Sequence, residues 1–271
     1  MYRHLSIGSA KPSAELMARI PHHLVDILEP WQDFSVASFI SMADEAVDRI
    51  YADGDIPVLA GGTAFYFKHF LYGLSQAPAV DPAVRSRVAA MLGSLGERVL
   101  HERLASVDPV SAARINVHDV YRTTRALEVY EQTGRPLSSF ALPSEPRLGM
   151  RPLVLSLVRD RQELYERIDR RVDQMFHEGL VDEIRSLVAM GATSAWSAMD
   201  AIGYAEFFHA FEGGCKSLSM IREEIKRNTR HYAKRQLTFF NSFSAQVRID
   251  PDDTATARRI IGEYISSFPH C

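Results

Sequence analysis

The sequence predicts an α/β fold with a parallel sheet and a helical excursion, and three observations point to it. Ile56-Pro-Val-Leu-Ala60 is a short apolar run rich in β-branched residues, followed by Gly61-Gly62-Thr63 and a helical pattern from Ala64 to Leu71. Pro152 to Val158 repeats the arrangement, with a long helical pattern from Asp160 to Met190 behind it. Between them, Asp81 to Leu142 holds helical patterns and no convincing strand. Strand followed by helix, twice over, is the signature of parallel pairing through crossover connections.

Each element has its own local reason. Ser35 is placed to cap a helix over Val36 to Tyr51, where Phe39, Ile40, Ala43, Ala46, Val47 and Ile50 recur at helical spacing. In the 160–190 segment Leu164, Ile168, Val172, Met175 and Leu180 form the apolar stripe. The helical excursion is broken near Gly93 to Gly96, at Asp108-Pro109 and at Gly134-Arg-Pro136. A further helix is expected from Ser217 to Phe243, which contains no Gly or Pro, and a last strand from Ala245 to Ile249.

At 271 residues, with 46% hydrophobic and 24% charged residues, the chain has globular composition and length for one large domain carrying an insert. Its apolar runs are far shorter than a membrane span and no basic-then-apolar leader opens it, so a cytoplasmic protein without membrane contact is expected. Cys215 and Cys271 lie too far apart in sequence to suggest a disulfide framework or a metal-ligand pair. A net charge of −3 argues against a general polyanion binder. The charge is nonetheless uneven: Arg222, Lys226, Arg227, Arg230, Lys234 and Arg235 face only Glu223 and Glu224 along one segment.

Several places could carry chemistry, each with a plainer alternative. Gly61-Gly62-Thr63 lies where strand gives way to helix, and free N–H groups there suit a phosphate; the glycines serve equally in an ordinary βα turn. Arg122 and Arg125 share a helical face, suited to successive phosphates or to a solvated surface with Arg125 paired to Glu128. Arg227, Arg230 and Lys234 form a basic stripe running into Phe239, Phe240 and Phe243, a common nucleic-acid footprint, although the phenylalanines read better as core. Arg167 and Arg171, one turn apart, could serve an anionic leaving group or simply face water.

These signals occur together in one order. Tyr2-Arg-His-Leu-Ser-Ile-Gly-Ser-Ala-Lys-Pro12, Ile20-Pro-His-His-Leu-Val-Asp26 and Gly61-Gly-Thr-Ala-Phe-Tyr66 come first. Arg122-Thr-Thr-Arg-Ala-Leu-Glu-Val-Tyr130 with Thr133-Gly-Arg-Pro136, then Ala201-Ile-Gly-Tyr204 and Thr229-Arg-His-Tyr-Ala-Lys-Arg-Gln236 complete the set. With these segments in register the chain resembles the tRNA dimethylallyltransferase family over essentially its whole length.

The resemblance implies a parallel sheet of P-loop NTPase-like type with helices on both faces. It divides the chain into a discontinuous catalytic core, 1–82 and 143–271, and a helical tRNA-binding insertion, 83–142. It implies transfer of a dimethylallyl group from dimethylallyl diphosphate to the exocyclic amine of the adenine 3′ of the anticodon, with Mg2+ assisting the diphosphate and a monomer acting on tRNA. Arg171 would stabilise the diphosphate. Thr63, Arg85, Tyr121, Arg122, Arg125, Gly203, Tyr204, Arg230, Lys234, Arg235 and Gln236 would contact tRNA.

Two positions depart from the family pattern: Ala205 stands where Lys or Arg usually follows Ile-Gly-Tyr, and Asn241 ends a run that usually reads Thr-Trp-Phe-Arg. The family's phosphate-binding loop and the Asp that serves as general base would precede the segment matching Tyr2, and Gly213-Gly214 lacks that loop's spacing. The true start is therefore expected upstream of Met1, and the chain as given is expected to be poorly active alone. A non-catalytic tRNA-binding remnant and a nucleotide-kinase-like phosphotransferase are the competing readings.

Overall fold

The computed structural model describes residues 1–140, 143, 145–147, 149–214, 216–241, 243 and 246–268. Cys215, Cys271 and Ala245, at the head of the last expected strand, lie outside them. The chain divides into two compact units, Met1–Phe67 with Arg151–Cys271, and Lys68–Met150. The second is wider at both ends than the 83–142 expected from the sequence.

The first unit begins with α1 (Ala14–Arg19) and α2 (Val36–Ala52), and α3 (Ala64–Tyr72) runs out of it. Ser35 caps α2 through the Ser38 amide, and Phe39, Ile40, Ala43 and Ala46 are its buried face. Residues 55–60 form no strand, which corrects the first strand expectation. Ile56 is 53% and Val58 83% exposed. A strand closes its hydrogen bonds only through a neighbour, Pro57 removes one donor, and no ladder reaches this run among the described residues.

In the second unit α4 (Pro82–Val107) bends at Gly96, where φ is 78°. It is followed by α5 (Pro109–Ala112), α6 (Val120–Thr133) and a 3-10 turn at Leu137–Phe140. Val88, Leu100 and Leu104 of α4 pack with Ala126 and Leu127 of α6 in one buried cluster. Burial of each Val or Leu side chain there contributes about 1.5–3 kcal/mol relative to exposure. Asp81, Asp108 and Asp119 cap the three helices, and Gly134 closes α6 in the left-handed region.

The chain returns to the first unit through β1 (Val154–Leu157), α7 (Arg161–His177) and α8 (Leu180–Ala189). A single helix from Asp160 to Met190 is not observed. Gly179 sits at φ 101°, a conformation a glycine adopts without strain, and it turns the chain between α7 and α8. After a 3-10 turn at Ser197–Asp200 come α9 (Ala205–Gly213), α10 (Leu218–Phe240), β2 (Gln246–Ile249) and α11 (Thr254–Ser266). β1 and β2 pair in parallel, Val154 with Gln246 through Leu157 with Ile249. The architecture is thus α/β and helix-rich, with a small parallel sheet. Leu180, Ile184, Leu187, Met199, Tyr204, Phe207, Ile221 and Ile225 form the core beneath α7 to α10.

Candidate phosphate and nucleic-acid site

The loop from Tyr2 to Ser13 is fixed by one carboxylate. The amides of Ser6 and Ile7 donate to Glu183 Oε2 at 2.9 and 2.8 Å, and that of Gly8 to Oε1 at 3.2 Å. The Tyr204 hydroxyl donates to Oε1 at 2.6 Å. Tyr204 is fully buried, and burial together with the Glu183 carboxylate pushes its phenol well above the ordinary range. A Cβ at Gly8 would come within 2.7 Å of the Tyr204 ring, and one at Gly203 within 3.3 Å of the Gly8 carbonyl oxygen. Gly203 and Tyr204, expected to touch tRNA, are therefore buried parts of a lock on this loop: a ring without exposed surface has none to offer RNA.

Beyond the lock, Lys11 pairs with Asp26. Both line a pocket of about 490 Å3 together with Arg171, Gln174, Met175 and Glu178. On α7, Arg167 pairs with Glu163 at 2.9 Å and Arg170 with Glu166 at 4.0 Å, whereas Arg171 lines this pocket. The pocket brings a guanidinium and an ammonium together with two carboxylates, a set that can hold a polyanion and an accompanying dication.

At the turn before α3 the Gly62 carbonyl accepts from Gln236 Nε2 at 2.7 Å and from the Tyr232 hydroxyl at 3.4 Å. A Cβ at Gly62 would lie 2.0 Å from Gln236 Nε2, so glycine permits this approach. Gln236 and the Gly61–Thr63 turn, distant in sequence, are thereby brought together. Thr63 is exposed, and its carbonyl opens α3 by accepting from the Tyr66 amide at 2.9 Å.

The basic stripe on α10 is largely compensated. Arg230 is held by Asp169 of α7 at 2.5 Å, Lys226 by Asp173 at 2.8 Å and Arg227 by Glu224 at 3.3 Å. Arg230 thus ties α10 to α7 from within the basic stripe. Lys234 and Arg235 are exposed, the latter with its guanidinium 5.7 Å from the Tyr232 ring centre. Phe239, Phe240 and Phe243 pack on one another, and Phe67 meets Phe240 edge-on at 5.7 Å, as core rings do.

On the second unit Arg85 is exposed on α4 and Tyr121 is 80% exposed at the start of α6. Arg122 is exposed and hydrogen-bonds Asp119 at 3.1 Å. Arg125 donates to the Pro78 carbonyl at 3.1 Å and is half-buried, so it braces the unit where the sequence suggested a bond to Glu128. Sequence reasoning missed Glu183, Lys11 and Asp26 as organising residues. Lys11 and Asp26 lie inside the matched segments, but Glu183 reads only as an acid in a helix's first turn.

Against known proteins, residues 1–243 match the family model for IPP transferase. The tRNA dimethylallyltransferase of Geobacter sulfurreducens is 44% identical over 243 residues, covering 89% of this chain and 77% of that protein. The crystal structure of the full-length tRNA isopentenylpyrophosphate transferase from Bacillus halodurans superposes with a TM-score of 0.68 at 34% identity, over 98% of this chain and 84% of that one. A eukaryotic dimethylallyltransferase captured acting on tRNA shares the fold, with a TM-score of 0.76 at 24% identity over 97% of this chain and 70% of that one. The fold is that of a helix-rich α/β protein with a small parallel sheet. Within that class, this chain belongs to the IPP transferase family.

Proposed function

We propose that the protein transfers a dimethylallyl group from dimethylallyl diphosphate to the exocyclic amine of the adenine 3′ of the anticodon in tRNA. Family membership and the names of its relatives support the reaction, and the Arg171 pocket is the structural observation that carries it. As the amine attacks the allylic carbon, the C–O bond to the diphosphate breaks and negative charge collects on the leaving oxygens. In this reading Arg171 stabilises that charge, which is most valuable where it develops during the reaction. The transferred group ends on the adenine nitrogen, and the amine's proton leaves to a base.

Mg2+ takes one or two carboxylates plus substrate phosphates and keeps several waters, so it needs no dedicated cage. Among the described residues no group of three potential metal ligands is gathered, while Asp26 and Glu178 line the Arg171 pocket. They fit a dication arriving with diphosphate, which would supply charge neutralisation there. In this reading Lys234, Arg235, Thr63 and Gln236 contact tRNA from the first unit, and Arg85, Tyr121 and Arg122 from the second, the helical insertion. Arg125 contributes by bracing that insertion. No described helix is long and apolar enough to cross a membrane. A cytoplasmic monomer suits a tRNA-modifying enzyme.

The test is incubation of unmodified tRNA with labelled dimethylallyl diphosphate and Mg2+, followed by digestion to nucleosides. Label on the adenine 3′ of the anticodon is the expected result. tRNA that binds yet never acquires label, even with the frame upstream of Met1 restored, would overturn the transfer and leave a binding protein.

A further inference from the structure

The Arg171 pocket has two chemically different sides. Lys11, Asp26 and Arg171 bring charge to it, whereas Ile7, Met17 and Met175 line it with apolar surface. On α7, Met175 follows Arg171 by four positions, so the two stand on one helix face about 5.4 Å, one turn, apart. That spacing is close to the step from a diphosphate oxygen to the far methyl of a dimethylallyl group. Ile7 and Met175 both pack against the buried core of the first unit, and the Ile7 amide is held by Glu183 at 2.8 Å. They are the fixed part of the apolar side. Met17 is the other part: it is half-buried, while the remaining residues of α1 are exposed.

We infer that Met17 and Met175 determine the length of the prenyl donor: with Ile7 they enclose the five-carbon tail of dimethylallyl diphosphate and exclude longer prenyl diphosphates. The inference rests on the transfer reading above, and the bonds made and broken are the same for every donor. The diphosphate is also the same in every donor, so the charged side of the pocket cannot tell one chain length from another. Discrimination falls to the tail. Methionine suits the task, because its unbranched, polarisable side chain follows the contour of a small hydrocarbon and fills space that alanine would leave open. A geranyl donor carries five further carbons, which must displace the Met17 side chain or stay in water. The helix that carries Met17 is held by the Ser13 cap, whose hydroxyl accepts from the Leu16 amide at 3.2 Å, and it buries no residue. Position 17 is therefore open to substitution without a cavity in the core.

The experiment uses the full chain with the frame upstream of Met1 restored. Binding of inorganic diphosphate, dimethylallyl diphosphate and geranyl diphosphate is measured by calorimetry with Mg2+, and the two prenyl donors then compete for transfer to unmodified tRNA. The wild type is expected to favour dimethylallyl over geranyl diphosphate in both measurements. Met17→Ala should move that preference towards geranyl diphosphate by about tenfold or more, the scale on which an apolar pocket separates ligands that differ by a methylene. Inorganic diphosphate, which has no tail, should bind as before. Met175→Ala should shift the preference the same way, and Met17→Leu, which conserves volume, should keep it. A preference unchanged in Met17→Ala or in Met175→Ala, or a wild type that takes both donors equally, overturns the assignment of donor length and leaves the transfer standing. A wild type that neither binds dimethylallyl diphosphate nor transfers label from it overturns the transfer reading, and the assignment with it.

Discussion

The helical unit Lys68–Met150 and the 55–60 run of the first unit are both rich in apolar residues, yet one buries them and the other does not. Leu100 and Leu104 are at most 1% exposed, whereas Val58 is 83% exposed. A helix closes its backbone hydrogen bonds internally, so an apolar stripe and caps at Asp81, Asp108 and Asp119 suffice to build a packed pair. An extended segment depends on neighbours for every bond, and its own residues cannot supply them.

The contrast is sharpest in core substitutions. Leu104→Ala should cost about 2–5 kcal/mol in denaturant unfolding, since a buried cavity adds to the lost transfer energy. Val58→Thr should stay within about 0.5 kcal/mol. A comparable loss at Val58 would mean that this run is packed in solution and would erase the distinction.

The lock on the 6–8 loop should come next. Gly8→Ala drives a methyl into the Tyr204 ring and should cost about 1–3 kcal/mol. Tyr204→Phe removes the hydroxyl bonded to Glu183 and should cost about 1 kcal/mol. tRNA affinity of the remaining folded protein should be unchanged in Tyr204→Phe; a large loss of affinity at full stability would return Tyr204 to the RNA surface.

Asp108 offers a smaller test, through pH. Burial raises its pKa, but hydrogen bonds from Ser111 and Ser138 more than offset that and hold it below the usual carboxylate value. A depressed folded pKa stabilises above the unfolded value, about 3.9, and that stabilisation fades as pH falls through the folded one. Acid titration of the thermal midpoint should therefore show a steeper acid limb in the wild type than in Asp108→Asn.

How legible each part was follows the same physics. The helices at Val36–Ala52 and Leu218–Phe240 announce themselves, the first through Ser35 and its apolar spacing and the second through a run free of Gly and Pro, because such signals are local. The break at Gly179 was hidden inside an unbroken apolar stripe, since one left-handed residue changes direction without disturbing composition. In the site, Lys234 and Arg235 were readable as cations in a matched segment, and Arg171 as one of two arginines a turn apart. The roles of Arg230, Gly203 and Tyr204 were not, because they depend on Asp169 and Glu183, brought close only by folding.

The central claim is that tRNA is held by exposed cations, while the buried members of the same motifs hold the protein together. The salt dependence of tRNA binding tests it most directly. Lys234→Ala and Arg235→Ala should each lower the slope of log affinity against log salt by about one, with the thermal midpoint unchanged. Arg230→Ala should instead lower the midpoint slightly, since it breaks the tie between α10 and α7, and leave the slope intact. An unchanged slope in the first two variants, with a reduced slope and full stability in Arg230→Ala, would contradict the account.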